Sequence, residues 1–319
     1  MTAKPLLSIV SPCYNEQDNI EDLYRRVTAA IEPLLARYDF EIIVIDNHSQ
    51  DETPNKLREL AARDPRLKVI LNVRNFGHIR SPYYGILQSS GLATIYLASD
   101  LQDPPELIAD FIRYWEAGAK LVMAIKPNSE GNPLLHGLRR SYYRLLDKMS
   151  EVKVLKDSTG FGLYDKVVLD HVRKVDDPYP FLRGLISELG YPVVEIPFVQ
   201  PRRLRGISKN NLYSLYDIAW LGFVSQSKMP IRLAAFLGFS VGLLSAFAAL
   251  IFLVLKLLYW NSFPVGISPL IIGMFGLFGL QFIFIGIVGE YVGTILTYVQ
   301  KRPVVVEQER INFDKSNGG

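Results

Sequence analysis

The stretch Tyr96-Leu97-Ala98-Ser99-Asp100-Leu101-Gln102-Asp103-Pro104-Pro105-Glu106 ends an apolar run in two acids, an amide and a double proline. The run leading into it, from Ala93 to Ala98, reads as a buried strand, which the proline pair stops. Oxygen ligands gathered where a strand stops are what a hard divalent cation carrying a diphosphate needs. Asp100 and Gln102, two residues apart in an extended segment, would share a side. Taken alone, the same run could equally be a turn cap.

Working outward, Leu6–Val10, Glu41–Ile45, Val69–Leu71 and Lys120–Ile125 repeat the apolar strand pattern. Helical spacing over Gln17–Tyr38, Thr53–Arg63, Ser81–Ser90 and Glu106–Ala117 alternates with them. Apolar strands alternating with helices predict a mainly parallel, Rossmann-like sheet covered on both faces. Ligands of such sheets bind beyond the carboxyl ends of the strands. Polar clusters fall at four of those ends: Pro12-Cys13-Tyr14-Asn15-Glu16, Asp46-Asn47-His48-Ser49, Arg74-Asn75-Phe76-Gly77 and the acidic run. No glycine-rich phosphate loop follows the first strand, which weighs against nucleotide hydrolases and dehydrogenases. Cys13 is the single cysteine; with no disulfide possible within the chain, it suits a reducing compartment and is read as packing.

Charge is unevenly spread. Of 319 residues, 21% are charged and 49% hydrophobic, yet positions 231–300 are almost purely apolar. Two uncharged stretches, Leu233–Leu255 and Pro269–Gly289, are each long enough for a helix to cross a bilayer. Tyr259-Trp260-Asn261-Ser262-Phe263-Pro264 between them supplies interfacial aromatics and turn formers. Lys228 and Arg232 before the pair and Lys301 and Arg302 after it put both termini in the cytoplasm. Glycines at 273, 276, 279, 286, 289 and 293 permit close helix contacts and hint at a homo-oligomer. The domain plan is therefore 1–210 catalytic, 211–229 an amphipathic interfacial helix, 230–300 two membrane helices (about 232–258 and 267–298), and 301–319 a cytoplasmic tail. A net charge of +3 gives no reason to expect a nucleic-acid partner.

Taken in order, the motifs Ser8–Glu16, Ile45–Thr53, Arg74–Gly77 and Asp100–Glu106 resemble those of family 2 glycosyltransferases with the GT-A fold. Asp157-Ser158-Thr159-Gly160-Phe161-Gly162-Leu163, Arg203-Leu204-Arg205-Gly206-Ile207-Ser208-Lys209 and the two spans narrow the resemblance to polyisoprenyl-phosphate glycosyltransferases. Within these, dolichyl-phosphate mannosyltransferase and especially the bacterial GtrB-type glucosyltransferases are most similar, over about residues 6–302. The resemblance implies that Pro12, Tyr14, Glu16, Asp46, Arg74, Ser99 and Asp103 bind the nucleotide sugar. It implies that Asp100 and Gln102 hold Mg²⁺ or Mn²⁺, with Asp100 and Asp157 catalytic. Two positions depart from the family pattern: Ala98 and Asn47 stand where aspartates are usual. The expected consequence is weaker metal binding at the Ala98 loop.

Joining two polyanions requires cations, and arginine grips phosphate oxygens bidentately. Arg139, Arg203, Arg205 and Lys209 are the candidates for the acceptor phosphate; a solvated helix face accounts for Arg139 as well, and anionic headgroups for the other three. The expected activity is inverting transfer of a hexose, glucose by preference, from a UDP-sugar to an undecaprenyl-type phosphate at the cytoplasmic membrane face. A processive polysaccharide synthase and a degenerate sugar-nucleotide-binding membrane scaffold stay open as alternatives.

Overall fold

A computed structural model describes residues 4–126, 158–175, 177, 182–201 and 302–313, the backbone of 267–300, and separate helical residues between 236 and 259. The chain divides into two compact units, Met1–Ile218 with Lys301–Gly319, and Ala219–Gln300. The expected interfacial helix at 211–229 lies outside the described residues.

The first unit is built on eight strands: β1 (Leu6–Cys13), β2 (Asp39–Asp46), β3 (Leu67–Asn72), β4 (Ala93–Tyr96), β5 (Leu121–Ile125), β6 (Ser158–Asp165), β7 (Val193–Pro197) and β8 (Glu307–Ile311). They form one sheet in the order β7-β5-β6-β4-β1-β2-β3-β8. Helices α1 (Ile20–Ile31), α2 (Thr53–Arg63), α3 (Gly77–Leu87), α4 (Ile108–Glu116), α5 (Lys166–Arg173) and α6 (Leu182–Glu188) cover it. Alternate strand residues enter separate cores. Leu7, Ile9, Ile42 and Val44 pack on one face with Leu23, Leu57 and Phe111 of α1, α2 and α4. Val10, Ile43, Ile45 and Ile70 pack on the other with Ile86, Val168 and Ile186 of α3, α5 and α6. Burial on both faces is why these strands read as continuous apolar runs.

The sheet is mainly parallel, as expected, with two strands reversed. β1 pairs in parallel with β2 and β4, β2 with β3, and β5 with β7. However, β6 runs antiparallel to both β4 and β5, and β8 antiparallel to β3. β6 does not read as a strand in the sequence because Gly160 and Gly162 interrupt its apolar pattern. Gly162 is required by proximity: a Cβ there would strike the Val122 carbonyl of β5.

The 301–319 segment is likewise more than a tail, since Glu307–Ile311 forms the edge strand β8. Its charged sequence suits an edge, where charge discourages further strand pairing. Arg58 meets Glu309 at 2.8 Å and the Tyr84 hydroxyl donates to Glu307 Oε1 at 2.9 Å. Asn312 closes the segment by donating to the carbonyls of Ala61 (2.7 Å) and Leu67 (2.9 Å).

At the amino end of the sheet the carboxylate of Glu41 gathers donors from three places. Ser8 Oγ, Ser90 N and Ser90 Oγ donate to Oε1, and Lys68 Nζ donates to Oε2 at 2.7 Å. This ties β1, β2, β3 and the turn before β4 together, far from the strands' carboxyl ends.

Ser11 is the misfit in the first core. Its Oγ is buried with no hydrogen-bond partner among the described residues, facing a small apolar cavity lined by Ile9, Leu23, Val44 and Leu57. Ser11→Ala should therefore leave stability unchanged or raise it by up to about 1 kcal/mol in urea denaturation. A loss of stability would show that Ser11 has a partner in solution, such as a trapped water.

In the second unit, Ile267–Val299 forms helix α7, 33 residues long, or about 50 Å at 1.5 Å per residue. Leu270, Phe282, Ile283, Ile285 and Ile295 along it are exposed. Among the residues whose side chains are described, no uninterrupted helix is long and apolar enough to cross a membrane. The first apolar stretch approaches α7 where Gly238 faces the Phe284 ring, with 3.5 Å left for a Cβ.

Candidate active site

The loops after β1 and β2 are bound into one body. Asn15 N donates to Ser49 Oγ (2.7 Å), Glu16 N to Thr53 Oγ1 (2.9 Å) and Gln17 N to Asp51 Oδ2 (3.2 Å). In return, Gln50 N donates to Asn15 Oδ1 (2.7 Å) and Glu52 N to Gln17 Oε1 (3.0 Å). The in-register pairing of Cys13 with Asp46 brings these loops level. Such reciprocal bonding satisfies the backbone donors of two turns and fixes their shape.

Asp46, at the end of β2, is 1% exposed. It accepts from Ser49 N at 2.9 Å, from Ser49 Oγ and from the Cys13 thiol at 3.6 Å. Burial pushes the Asp46 carboxyl above its ordinary value, with Ser49 pulling the other way. Burial, and next the neighbouring Asp46, push the Cys13 thiol up as well, so the thiol stays protonated and inert as its packing role requires.

Asn47 is the hub of the third loop. Its Oδ1 accepts from Phe76 N (2.8 Å) and Asn72 Nδ2 (3.2 Å), while its Nδ2 donates to Asn75 Oδ1 (2.9 Å) and the Gly77 carbonyl (3.1 Å). Asn75 Oδ1 also accepts from Gly77 N, which starts α3 four residues before the predicted Ser81. Arg74 is exposed and stacks its guanidinium over the Phe76 ring at 4.0 Å.

β4 ends at Tyr96, two residues earlier than predicted, and the acidic run is a folded loop. Leu101 takes a left-handed φ of 61°, so Asp100 and Gln102 do not alternate as in an extended chain. A turn joins them instead: Gln102 N donates to Asp100 Oδ1 at 3.2 Å. Asp103 turns inward, 3% exposed, and its Oδ2 accepts from Ala98 N at 2.9 Å. Burial pushes the Asp103 carboxyl up to about 6. Asn15 and His48, with φ of 54° and 65°, are the left-handed residues of the first two loops. Three neighbouring loops thus hold backbone conformations that favour glycine, a concentration typical of functional edges.

The predicted residues separate by exposure. Pro12, Tyr14, Arg74, Asp100 and Gln102 reach the surface of this edge. Glu16, Asp46, Ser99 and Asp103 are buried beneath it, Glu16 with its carboxylate accepting from Asn19 Nδ2 at 2.6 Å. Asp157, Arg139, Arg203, Arg205 and Lys209 lie outside the described residues.

Sequence reasoning missed Lys126, directly after β5, whose charge is near enough to lower the carboxyl of Asp103 and whose Nζ donates to Gln200 Oε1 at 2.5 Å. Its position at a strand's carboxyl end was the available signal. Among the described residues no group of three or more His, Cys, Asp or Glu is placed to hold a metal ion. Asp100 and Gln102 offer a carboxylate and an amide oxygen. That donor set fits Mg²⁺, which keeps waters and takes only one or two protein carboxylates beside substrate phosphates.

A mixed α/β sheet with folded polar loops along one edge, and an acidic loop after the fourth strand, defines a GT-A-like glycosyltransferase. The chain belongs to glycosyl transferase family 2, whose model matches residues 8–173. It is similar to the SfII prophage-derived bactoprenol glucosyl transferase of Shigella flexneri, 32% identical over 299 residues covering 93% of this chain and 96% of that one. It is also similar to the uncharacterized glycosyltransferase YkcC of Bacillus subtilis, 31% identical over 308 residues, 96% and 94% of the two chains. Among solved structures, glucosyl-3-phosphoglycerate synthase of M. tuberculosis aligns with a TM-score of 0.45 at 20% identity, covering 69% of this chain and 78% of that one.

Proposed function

We propose that this glycosyltransferase moves glucose from UDP-glucose to an undecaprenyl-type phosphate at the cytoplasmic face of the cell membrane. The observation that carries the reading is the Asp100–Gln102 turn at the open edge, in a chain similar over 93% of its length to a bactoprenol glucosyl transferase. Pro12, Tyr14 and Arg74 would contact the nucleotide, with Glu16, Asp46, Ser99 and Asp103 bracing the loops from beneath. The apolar stretches, in contact at Gly238 and Phe284, would form a membrane hairpin with both termini in the cytoplasm.

In the reaction the anomeric C–O bond to UDP breaks, the electron pair leaves with UDP, and an acceptor phosphate oxygen forms the new bond. A single displacement inverts the anomeric centre. The acceptor needs little activation, because a phosphomonoester with a second pKa near 6 is largely dianionic at neutral pH. Asp157 would orient it or take a residual proton. Asp100 and Gln102 would hold Mg²⁺ or Mn²⁺, which, when bound, acts as a Lewis acid toward the diphosphate. Arg139, Arg203, Arg205 and Lys209 would receive the acceptor phosphate.

Membranes carrying the protein, given radiolabelled UDP-glucose and undecaprenyl phosphate, should yield a chloroform-soluble product. An insoluble polymer would favour a processive synthase, and no product a sugar-nucleotide-binding scaffold.

Ala98 bears on the metal. A carboxylate there would add a charged ligand beside Asp100, and affinity follows ligand charge. Ala98→Asp should lower the half-saturating Mg²⁺ concentration for activity by about tenfold. An unchanged metal titration would contradict that role for position 98.

A further inference from the structure

The carboxamide of Asn47 makes four hydrogen bonds, two as acceptor and two as donor, at 2.8 to 3.2 Å. Three of the partners, Asn75, Phe76 and Gly77, belong to the loop after β3. Asn47 is 6% exposed, and the two bonds that its Oδ1 accepts are buried, away from competing water. Only a group that both donates and accepts can do this. A carboxylate would keep the Oδ1 contacts but would set a second acceptor against Asn75 Oδ1 and the Gly77 carbonyl. Acceptors facing each other without a proton between them cost more than a missing bond.

This clamp has an outward consequence. Asn47 fixes the backbone of Phe76, and the Phe76 ring, 8% exposed, supports the Arg74 guanidinium at 4.0 Å. Arg74 also donates to the Asn75 carbonyl at 3.2 Å. Both anchors of this exposed arginine therefore sit on the segment that Asn47 holds.

We propose that Asn47 is a positioning residue for the donor nucleotide, acting through the Asn75–Gly77 loop to set Arg74 at the open edge. The proposal rests on the reading of Arg74 as a nucleotide contact. Asn47 touches no substrate in this account.

The test is a double-mutant cycle on UDP affinity, measured by titration calorimetry on the full-length protein in detergent. Arg74→Ala should weaken UDP binding by about tenfold, as loss of one charged hydrogen bond does. Asn47→Asp should weaken it by a similar factor. The double variant should bind as Arg74→Ala does, because the clamp acts only through the residue already removed. Fully multiplied losses would mean that Asn47 acts independently of Arg74 and would overturn the proposal. So would an Asn47→Asp protein that binds UDP normally beside a weakened Arg74→Ala. An Arg74→Ala protein with wild-type affinity fails the underlying reading itself, and the proposal with it, as does a wild type that does not take UDP. If Asn47→Asp does not fold, Asn75→Ala removes one side of the clamp at an exposed position and carries the same cycle.

Discussion

Asp100→Ala should lower glucose transfer by about a thousandfold or more while the protein stays folded. Asp100 is half-buried at the edge of the sheet, where it accepts from Gln102 N at 3.2 Å. Loss of that turn bond costs stability of about 1 kcal/mol, too little to unfold a domain with two full cores. The chemical cost is far larger. Departing UDP develops charge on its diphosphate, and stabilising such charge contributes several kcal/mol to a barrier, each 1.4 kcal/mol being about tenfold in rate. Asp100→Asn separates the two effects, since it keeps an oxygen acceptor for Gln102 N and loses the charge. It should be nearly as inactive as the alanine variant and as stable as wild type. Wild-type turnover in either variant would remove Asp100 from the site.

The second large effect concerns stability. Glu41→Ala should destabilise the protein by about 3–5 kcal/mol in urea denaturation, the usual cost of breaking a buried charge pair on one side. Glu41 is 3% exposed and Lys68 is largely covered, so truncation strands an ammonium together with the donors of Ser8 and Ser90. Burial alone would raise the Glu41 carboxyl, but the bonds from Lys68, Ser8 and Ser90 outweigh it and hold it below its ordinary 4.5. A lowered folded-state value means that the contribution is complete above about pH 4.5 and fades as pH falls through the lowered value. Glu41→Gln should lack that acid-side loss. A variant as stable as wild type would show that the network is dispensable.

Much of this fold is legible from residues alone, for a physical reason. Strands β1 to β3 and β5 are buried on both faces and read as unbroken apolar runs. Helix α2 spans Thr53–Arg63 as predicted, with Pro54 in its first turn, where a missing N–H costs nothing. β6 and β8 were hidden because their residues answer to neighbours: Gly162 yields to the β5 backbone, and charged β8 occupies an edge. The site was legible as chemistry and less so as geometry. Asp100 and Gln102 were picked out by residue type, but the left-handed Leu101 that joins them in a turn leaves no sequence signature. Asp103 and Asp46 were picked out by residue type as well, but their burial at 3% and 1% exposure follows from the loop fold and not from any local pattern. Asn47 looked like a missing acid, whereas three of its four amide bonds reach a loop about thirty residues away, beyond any local pattern.

The central claim is that the edge built around Asp100 passes one hexose to a lipid phosphate. The most direct measurement is the mass spectrum of undecaprenyl phosphate after incubation with purified protein, Mg²⁺ and UDP-glucose. The account predicts a single added hexose with matching release of UDP, both lost in Asp100→Ala. An unmodified lipid, a ladder of added hexoses, or an undiminished product from Asp100→Ala would contradict it.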